Sequence, residues 1–160
     1  TKYDELVQFI NSLTFENLDS LLSQNINDLK KQFSLIGSVR TQVTQQNISV
    51  IDTLGYYNKI NNTILEIISL NARMAKTAEL TKSISAYANF LKSKERAGLE
   101  RAVLSNTFAA DKFADGMFVR WCRLMAEQDS FNEAYLALAS ENSKSFYQKT
   151  AKSTVFDDVI

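Results

Sequence analysis

Apolar residues recur at steps of three and four along most of the chain, the spacing that places side chains on one face of an α-helix. This periodicity divides the sequence into four blocks, at about 3–36, 39–74, 78–108 and 118–147. A helix of about 30 residues spans roughly 45 Å. Four such rods with short connections predict an all-α fold, an up-down bundle of about four long antiparallel helices.

Several positions are expected to interrupt these blocks. The segment "TFEN" at 14–17 is either a break in the first block or a second helix start capped by Thr14. Gly37 either ends that block or kinks it, and Gly55 with the Asn-rich "NKINN" weakens the second block. The final segment, "KSTVFDDVI" at 152–160, predicts the start of a further helix because candidate N-cap hydroxyls precede two aspartates.

Length and composition predict one soluble globular domain over residues 1–160. Apolar residues make up 45% of the chain, with no Pro and four Gly, which favours long helices over an all-β fold. Lys and Arg number 18, as do Asp and Glu, and this zero net charge argues against binding to nucleic acid or to a membrane surface. No apolar run approaches the roughly 20 residues of a membrane span, so membrane attachment is expected only through flanking helices outside this chain.

The chain lacks the residues on which most enzyme sites depend. It has no His, so the usual general base and the commonest metal ligand are absent, and no Gly-rich phosphate loop is present. Its single cysteine, Cys122, lies in an apolar helical pattern and is predicted to be a packing residue. We therefore expect no enzyme activity, cofactor or metal. Six aromatic residues at helical spacing are predicted to lie in the core: Tyr56, Tyr57, Tyr87, Phe90, Phe118 and Trp121.

A stripe along the third block is predicted to face the core but is interrupted by cations. Its positions alternate by three and four: Tyr87, Phe90, Lys94, Ala97, Arg101, Leu104 and Phe108. Lys94 and Arg101 would lie about 10 Å apart on one face. Gly98 lies beside this face and leaves space, and Glu95 and Glu100 flank it. The helix therefore places charge along a face that it was expected to use for packing.

Two interpretations account for these charges. A buried cation needs a partner, because an unpaired buried charge costs several kcal/mol. Arg101 could pair with Glu95, with Glu100 or with an acidic residue on another helix. Alternatively, the cations and the space at Gly98 form an anion pocket between helices. Arginine suits the second interpretation because its planar guanidinium binds planar oxyanions through two hydrogen bonds.

The segment "SKERAGLERAVL" resembles the signature of the NIT domain, a nitrate- and nitrite-sensing module, which reads approximately Lys-Glu-x-Ala-Gly-x-Glu-Arg-Ala. The positions that match it are Lys94, Glu95, Ala97, Gly98, Glu100, Arg101 and Ala102. The flanking segments "SVRTQV", which contains Arg40, "GYYNKINNTILEII", "SAYANFLKSKE" and "RLMAEQDSFNEAYLALA" are similar to the family as well. The resemblance covers about residues 35–145.

This resemblance implies an extracytoplasmic ligand-sensing domain of a bacterial transmembrane receptor, with a methyl-accepting chemotaxis protein as the leading candidate. The expected location is the periplasmic portion of an inner-membrane protein, and a homodimer is expected through the parent receptor. The ligand would be nitrate, nitrite or another small anion. The resemblance places its binding site at Arg101, Lys94, Gly98, Glu95 and Glu100, with Arg40 and Arg96 as further candidates.

The chain departs from the family pattern in two places. An earlier helix with a Gln-x-x-Arg-Gly-like or Glu-Arg-Gly motif is absent, so the chain is expected to begin downstream of an arginine that would help Arg101 hold the anion. Arg96 replaces a commonly uncharged residue.

Two other functions also fit the sequence. The first rival is a structural bundle that sets receptor dimerisation or docks a periplasmic binding protein, with buried charges fixing the register. The second is a cytoplasmic helical adaptor.

Overall fold

A computed structural model describes residues 2–12 and 19–151 of the chain. Helices account for 87% of the described residues, and no strand occurs among them, which confirms the all-α fold. The helices in these ranges are α1 (Lys2–Ser12), α2 (Ser20–Ser34), α3 (Ile36–Thr44), α4 (Val50–Asn71), a 3-10 helix (Ala72–Met74), α5 (Ala78–Ala110), α6 (Met117–Leu138) and α7 (Glu141–Ala151). The expectation of about four long helices is therefore wrong for this part of the chain, because three of the four blocks are divided into shorter helices.

The second block breaks at 45–49, where the sequence pattern indicated a continuous helix. Gln46 adopts a left-handed backbone conformation with φ 57°, which ends α3. Ser49 then starts α4, because its Oγ accepts a hydrogen bond from the backbone N–H of Asp52 at 3.0 Å and donates one to the Asp52 carboxylate at 2.6 Å. Gly55 lies inside α4 without breaking it.

The first and fourth blocks also contain boundaries. The boundary between α2 and α3 falls at Leu35, so Gly37 lies within the first turn of α3 and does not end the first block. In the fourth block, Ala139 is extended with ψ 149°, and the Ser140 Oγ accepts a hydrogen bond from the backbone N–H of Ser143 at 3.2 Å, which starts α7. The proposed break at 14–17 and the proposed helix start at 152–160 lie outside the described residues.

The third block is confirmed as one long helix, α5. Thr77 caps its first turn, since the Thr77 Oγ1 accepts a hydrogen bond from the backbone N–H of Leu80 at 3.2 Å. The helix ends at Asp111, which adopts a left-handed conformation with φ 53°. Gly116, with φ 74°, precedes α6, and this positive φ is one that glycine adopts without steric cost. The short connection 111–116 therefore turns the chain from α5 into α6.

The chain divides into two compact units, Thr1–Leu70 and Asn71–Ile160. The first has an apolar core contributed by α1, α2 and α4: Ile10, Leu22, Ile26, Leu29, Phe33 and Ile60. One buried polar contact joins α2 to α4, in which the Gln32 Nε2 lies 3.2 Å from the Thr63 Oγ1. The Tyr56 hydroxyl also donates to the backbone carbonyl of Gln32 at 2.6 Å. These hydrogen bonds satisfy polar groups beside the apolar core.

The second unit is built on a hairpin of α5 and α6. Ser93 Oγ donates to the backbone carbonyl of Gln128 at 3.2 Å, and nearer the turn the Trp121 Nε1 donates to the Glu100 carboxylate at 3.0 Å. Residue numbers thus rise along α5 as those of their partners fall along α6, so the two helices are antiparallel. The buried residues of this unit's core cluster are Ala86, Tyr135 and Ala139, and α7 packs on this cluster through Tyr147.

Stability should be nearly constant between pH 6 and 8, because the chain has no His to titrate in that range. A hydrogen bond and the charge of Lys144 lower the pKa of Glu141 from its ordinary value of 4.5. Its contribution to stability is therefore fully present above that value and is lost only as the pH falls through the lowered pKa. Thermal melts at pH 6, 7 and 8 check this expectation. Glu141→Gln is the control, because it should change how the melting temperature depends on pH only at acidic pH. A clear shift of the melting temperature within that window would contradict the expectation.

Candidate functional site

The signature segment lies in the middle of α5, and one of its faces packs against α6. Ser93, Arg96 and Glu100 are partly buried on this face, and Val103 is buried. Glu100 accepts the hydrogen bond from Trp121 described above. The seam of the hairpin is therefore lined by polar side chains in its middle and by small apolar residues, such as Ala86, towards one end.

Most positions of the stripe that was predicted to face the core are exposed, although Phe90 and Leu104 are partly buried. Tyr87 and Phe108, near its ends, are 55% and 78% exposed. Lys94, Ala97 and Arg101, in its middle, are exposed as well. The prediction that this stripe packs inside a bundle is therefore wrong. Within the stripe, Phe90 is partly buried and packs against Tyr135 of α6, whereas Tyr87 and Phe108 lie away from that contact.

Arg101 presents its guanidinium at this exposed face. Within residues 2–12 and 19–151 it forms no ion pair and no hydrogen bond. The interpretation that Arg101 pairs with Glu95 or Glu100 therefore gains no support from the structure, and the premise that its charge is buried is wrong. An exposed arginine keeps its charge without a protein partner because water solvates it.

The other signature residues differ in their surroundings. Lys94 is exposed and lies about two helical turns before Arg101, whereas Glu95 is half-buried. Gly98 is exposed on the same face as Arg101, and a Cβ added there would meet no atom of the described residues within 4 Å. Lys94, Gly98 and Arg101 thus share one open surface, which we call the α5 outer face.

Arg96 belongs instead to the seam between α5 and α6. Its Nε lies 2.6 Å from the Glu127 Oε2, and its side chain is 21% exposed, against 39% for that of Glu127. The Arg96 guanidinium carbon also lies 5.8 Å from the centre of the Phe131 ring. Beside it, the Gln128 Oε1 is buried without a hydrogen-bond donor among the described residues. Arg96 was a candidate anion-binding residue, but its pairing with Glu127 was not predicted, because apolar periodicity does not register charged side chains in a helix–helix seam.

The structure also bears on the predictions for Cys122, for the six aromatic residues and for Arg40. Cys122 is exposed, so its prediction as a packing residue is wrong. Tyr87 and Phe118 are also exposed, whereas the remaining four of the six aromatic residues are partly buried. Arg40 lies on α3, in the first compact unit, and is exposed.

No group of three or more carboxylate, thiol or imidazole side chains in the described part of the chain could hold a metal ion. None of the helices in the described ranges combines the length and the apolar character needed to cross a membrane.

A comparison with protein-family models matches residues 1–159 to NIT, described as nitrate and nitrite sensing. The chain belongs to the NIT family. The match covers nearly the whole chain and extends beyond the 35–145 range of the sequence resemblance. No curated protein and no solved structure matches the chain significantly. As a NIT domain, the chain is a sensing module.

Proposed function

We propose that this NIT domain is the extracytoplasmic sensor of a bacterial transmembrane receptor and binds nitrate, nitrite or another small oxyanion at the α5 outer face. A methyl-accepting chemotaxis protein is the leading candidate for the parent receptor, which would place the domain in the periplasm. The observation that carries the proposal is the Arg101 guanidinium, exposed and unpaired among the described residues in the family's signature. A free guanidinium offers paired N–H donors that match the geometry of a planar oxyanion.

Gly98 and Lys94 support this assignment. A glycine in the middle of a helix costs about 1 kcal/mol relative to alanine. No described side chain packs against Gly98, so packing within this part of the chain does not account for it. The missing side chain leaves the backbone of α5 open to a ligand or to a second surface beside Arg101. Lys94 adds a positive charge to the same face.

Glu100 and Glu95 would act by shaping this face rather than by touching the anion. The carboxylate of Glu100 is held by the Trp121 indole N–H in the hairpin seam. This hydrogen bond holds the Glu100 carboxylate in the seam, where it forms no ion pair with Arg101. Glu95 is half-buried and would act in a similar supporting role.

An exposed face supplies only one wall of a binding site, so a second surface must complete it. A second copy of the domain is the candidate for this surface. Binding would favour the arrangement in which this second surface lies against α5. The resulting shift of α5 would pass through its hairpin with α6 to the rest of the receptor.

The size of the ligand limits its affinity. Nitrate has four non-hydrogen atoms, and the best small ligands gain about 1.5 kcal/mol per atom. Binding would therefore gain at most about 6 kcal/mol, which corresponds to a Kd no tighter than tens of micromolar, on the order of 40 μM. A sensor of this kind would respond to micromolar to millimolar anion.

Thermal melts with a series of anions test the proposal. Nitrate and nitrite at millimolar concentration should raise the melting temperature, by an amount equivalent to about 2.7 kcal/mol when the anion is at 100 times its Kd. Chloride at equal ionic strength should have much less effect, because a spherical ion cannot use both donors of the guanidinium. Equal shifts with all three salts would indicate general ionic stabilisation and would contradict specific binding.

A structural role in dimerisation or in docking a binding protein is the second candidate function. The observation that favours it is the exposure of Tyr87 and Phe108 on the same face as Arg101. Exposed aromatic side chains are enriched where proteins contact one another. Sedimentation of the domain with and without nitrate separates the two functions. A stable dimer that forms equally in both conditions, together with melts that do not respond to nitrate, would favour the structural role.

A further inference from the structure

A cavity of about 670 Å³ lies in the second compact unit, on the N-terminal side of the signature segment of α5. It is formed by the N-terminal part of α5, the end of α6 and α7. Five aromatic side chains line it: Tyr87, Phe90, Tyr135, Phe146 and Tyr147. Its volume lies within the range of about 300–1,000 Å³ that is typical of small-molecule sites.

Three of these rings form a fixed floor. The centre of the Phe90 ring lies 5.3 Å from that of Tyr135, and the centre of the Tyr135 ring lies 5.4 Å from that of Tyr147. The Tyr135 hydroxyl donates to the backbone carbonyl of Ser143 at 3.2 Å, which ties α6 to the start of α7. Tilted packing of Phe90 on Tyr135, edge-to-face packing of Tyr135 on Tyr147 and this hydrogen bond hold the rings in place, so the floor is pre-formed.

Two further rings stand at the opening of the cavity. Tyr87 on α5 is 55% exposed and Phe146 on α7 is 72% exposed. Neither ring is buried by the described residues, although both line the same cavity. A ligand that entered between them would cover apolar surface that water now contacts, which is favourable.

The polar groups of the cavity are uncharged. Hydroxyl and amide side chains line it at Ser83, Asn142 and Thr150, and no charged side chain is among its described lining residues. Nearby, Glu141 and Lys144 are paired with each other, with the Lys144 Nζ 2.8 Å from the Glu141 carboxylate. An ionic ligand would therefore lose its hydration without gaining an opposite charge, which is costly.

We propose that this cavity binds a small uncharged aromatic molecule that carries one hydrogen-bonding group, such as a phenol. The aromatic floor and opening provide faces and edges for another ring, and the hydroxyl and amide groups provide a partner for its polar atom. Tyr87 and Arg101 lie fourteen positions apart on α5, a distance of about 21 Å along a helix. The cavity is therefore separate from Arg101, although Phe90 lies only one helical turn before Lys94 and the same helix carries both sites.

Saturation-transfer NMR and titration with phenol test this proposal on the intact chain. Phenol should bind saturably, whereas cyclohexanol and tetramethylammonium should bind at least several-fold more weakly. Phe146→Ala should weaken phenol binding by three- to tenfold, roughly the effect of losing one aromatic contact. Phe108→Ala is the matched control, because it removes an equally exposed phenylalanine outside the cavity, and it should leave binding unchanged.

A second pair of variants tests whether the effect of Phe146→Ala on phenol binding is indirect. Tyr87→Ala should weaken phenol binding, whereas Phe118→Ala, at 54% exposure on α6 and outside the cavity, should not. Arg101→Lys should leave phenol binding unchanged, because Arg101 does not line the cavity. The phenol result therefore stands or fails independently of the anion proposal. Absence of saturable phenol binding, tighter binding of tetramethylammonium, or equal losses in the cavity and control variants would overturn the proposal.

Discussion

Replacing Arg101 with lysine should remove the stabilisation of the domain by nitrate and leave the fold intact. Lysine keeps the positive charge but loses the planar pair of N–H donors that a nitrate ion would bind. Arg101 is exposed, so the substitution should change the stability of the unliganded domain by no more than about 0.5 kcal/mol. At nitrate 100 times above the wild-type Kd, the loss of stabilisation should approach about 2.7 kcal/mol.

Two further variants complete this test. Arg101→Ala should also abolish the response to nitrate, with little loss of stability, since Arg101 forms no ion pair or hydrogen bond with any described residue. Arg120→Lys is the matched control, because Arg120 is an exposed arginine on α6. It should retain the full nitrate-induced shift, measured by thermal or chemical denaturation. If Arg101→Lys responded to nitrate as the wild type does, the guanidinium would not be the anion donor.

The largest loss of stability is expected from truncating the core of the first unit. Leu22 on α2 is 3% exposed and belongs to that core. Leu22→Ala should lower the free energy of unfolding by about 2–5 kcal/mol, because it removes apolar contacts and leaves a cavity. Urea denaturation followed by circular dichroism measures this change.

The neighbouring leucine provides the control. Leu21 lies on the same helix turn and is 45% exposed. Leu21→Ala makes the same chemical change at almost the same place, so it should cost much less, on the order of 1 kcal/mol or below. Equal losses for the two variants would mean that α2 does not present the Leu22 face to the core.

The helices themselves were largely predictable from the sequence, whereas their breaks were not. The prediction of α5 succeeded because a long periodic pattern coincides with a good N-cap at Thr77. The divisions before α4 and α7 were missed because they depend on single hydroxyl caps, at Ser49 and Ser140, within continuous apolar patterns. A hydroxyl that caps a helix and one that merely lies on its surface look alike in an apolar pattern.

The location of the candidate site in the signature segment stays a prediction, whereas the predicted burial of its charged stripe was wrong. The signature residues identified the family and the segment. The face was misjudged because Tyr87 and Phe108 suggested a buried stripe. The contact with α6 includes Phe90 from that stripe, but it is otherwise made by small residues such as Ala86 and by the Arg96–Glu127 ion pair. Large aromatic residues are a poor guide to a close helix–helix contact, since small residues allow helices to approach and polar ones can pair across the seam.

Isothermal titration of the wild-type domain with nitrate, nitrite and chloride tests the central claim most directly. The account predicts saturable heat for nitrate or nitrite, with a Kd no tighter than on the order of 40 μM, and no saturable heat for chloride at equal ionic strength. The same titration of Arg101→Lys should show no saturable heat. A flat wild-type titration for every anion, or binding that survives Arg101→Lys, would contradict an oxyanion site at the α5 outer face.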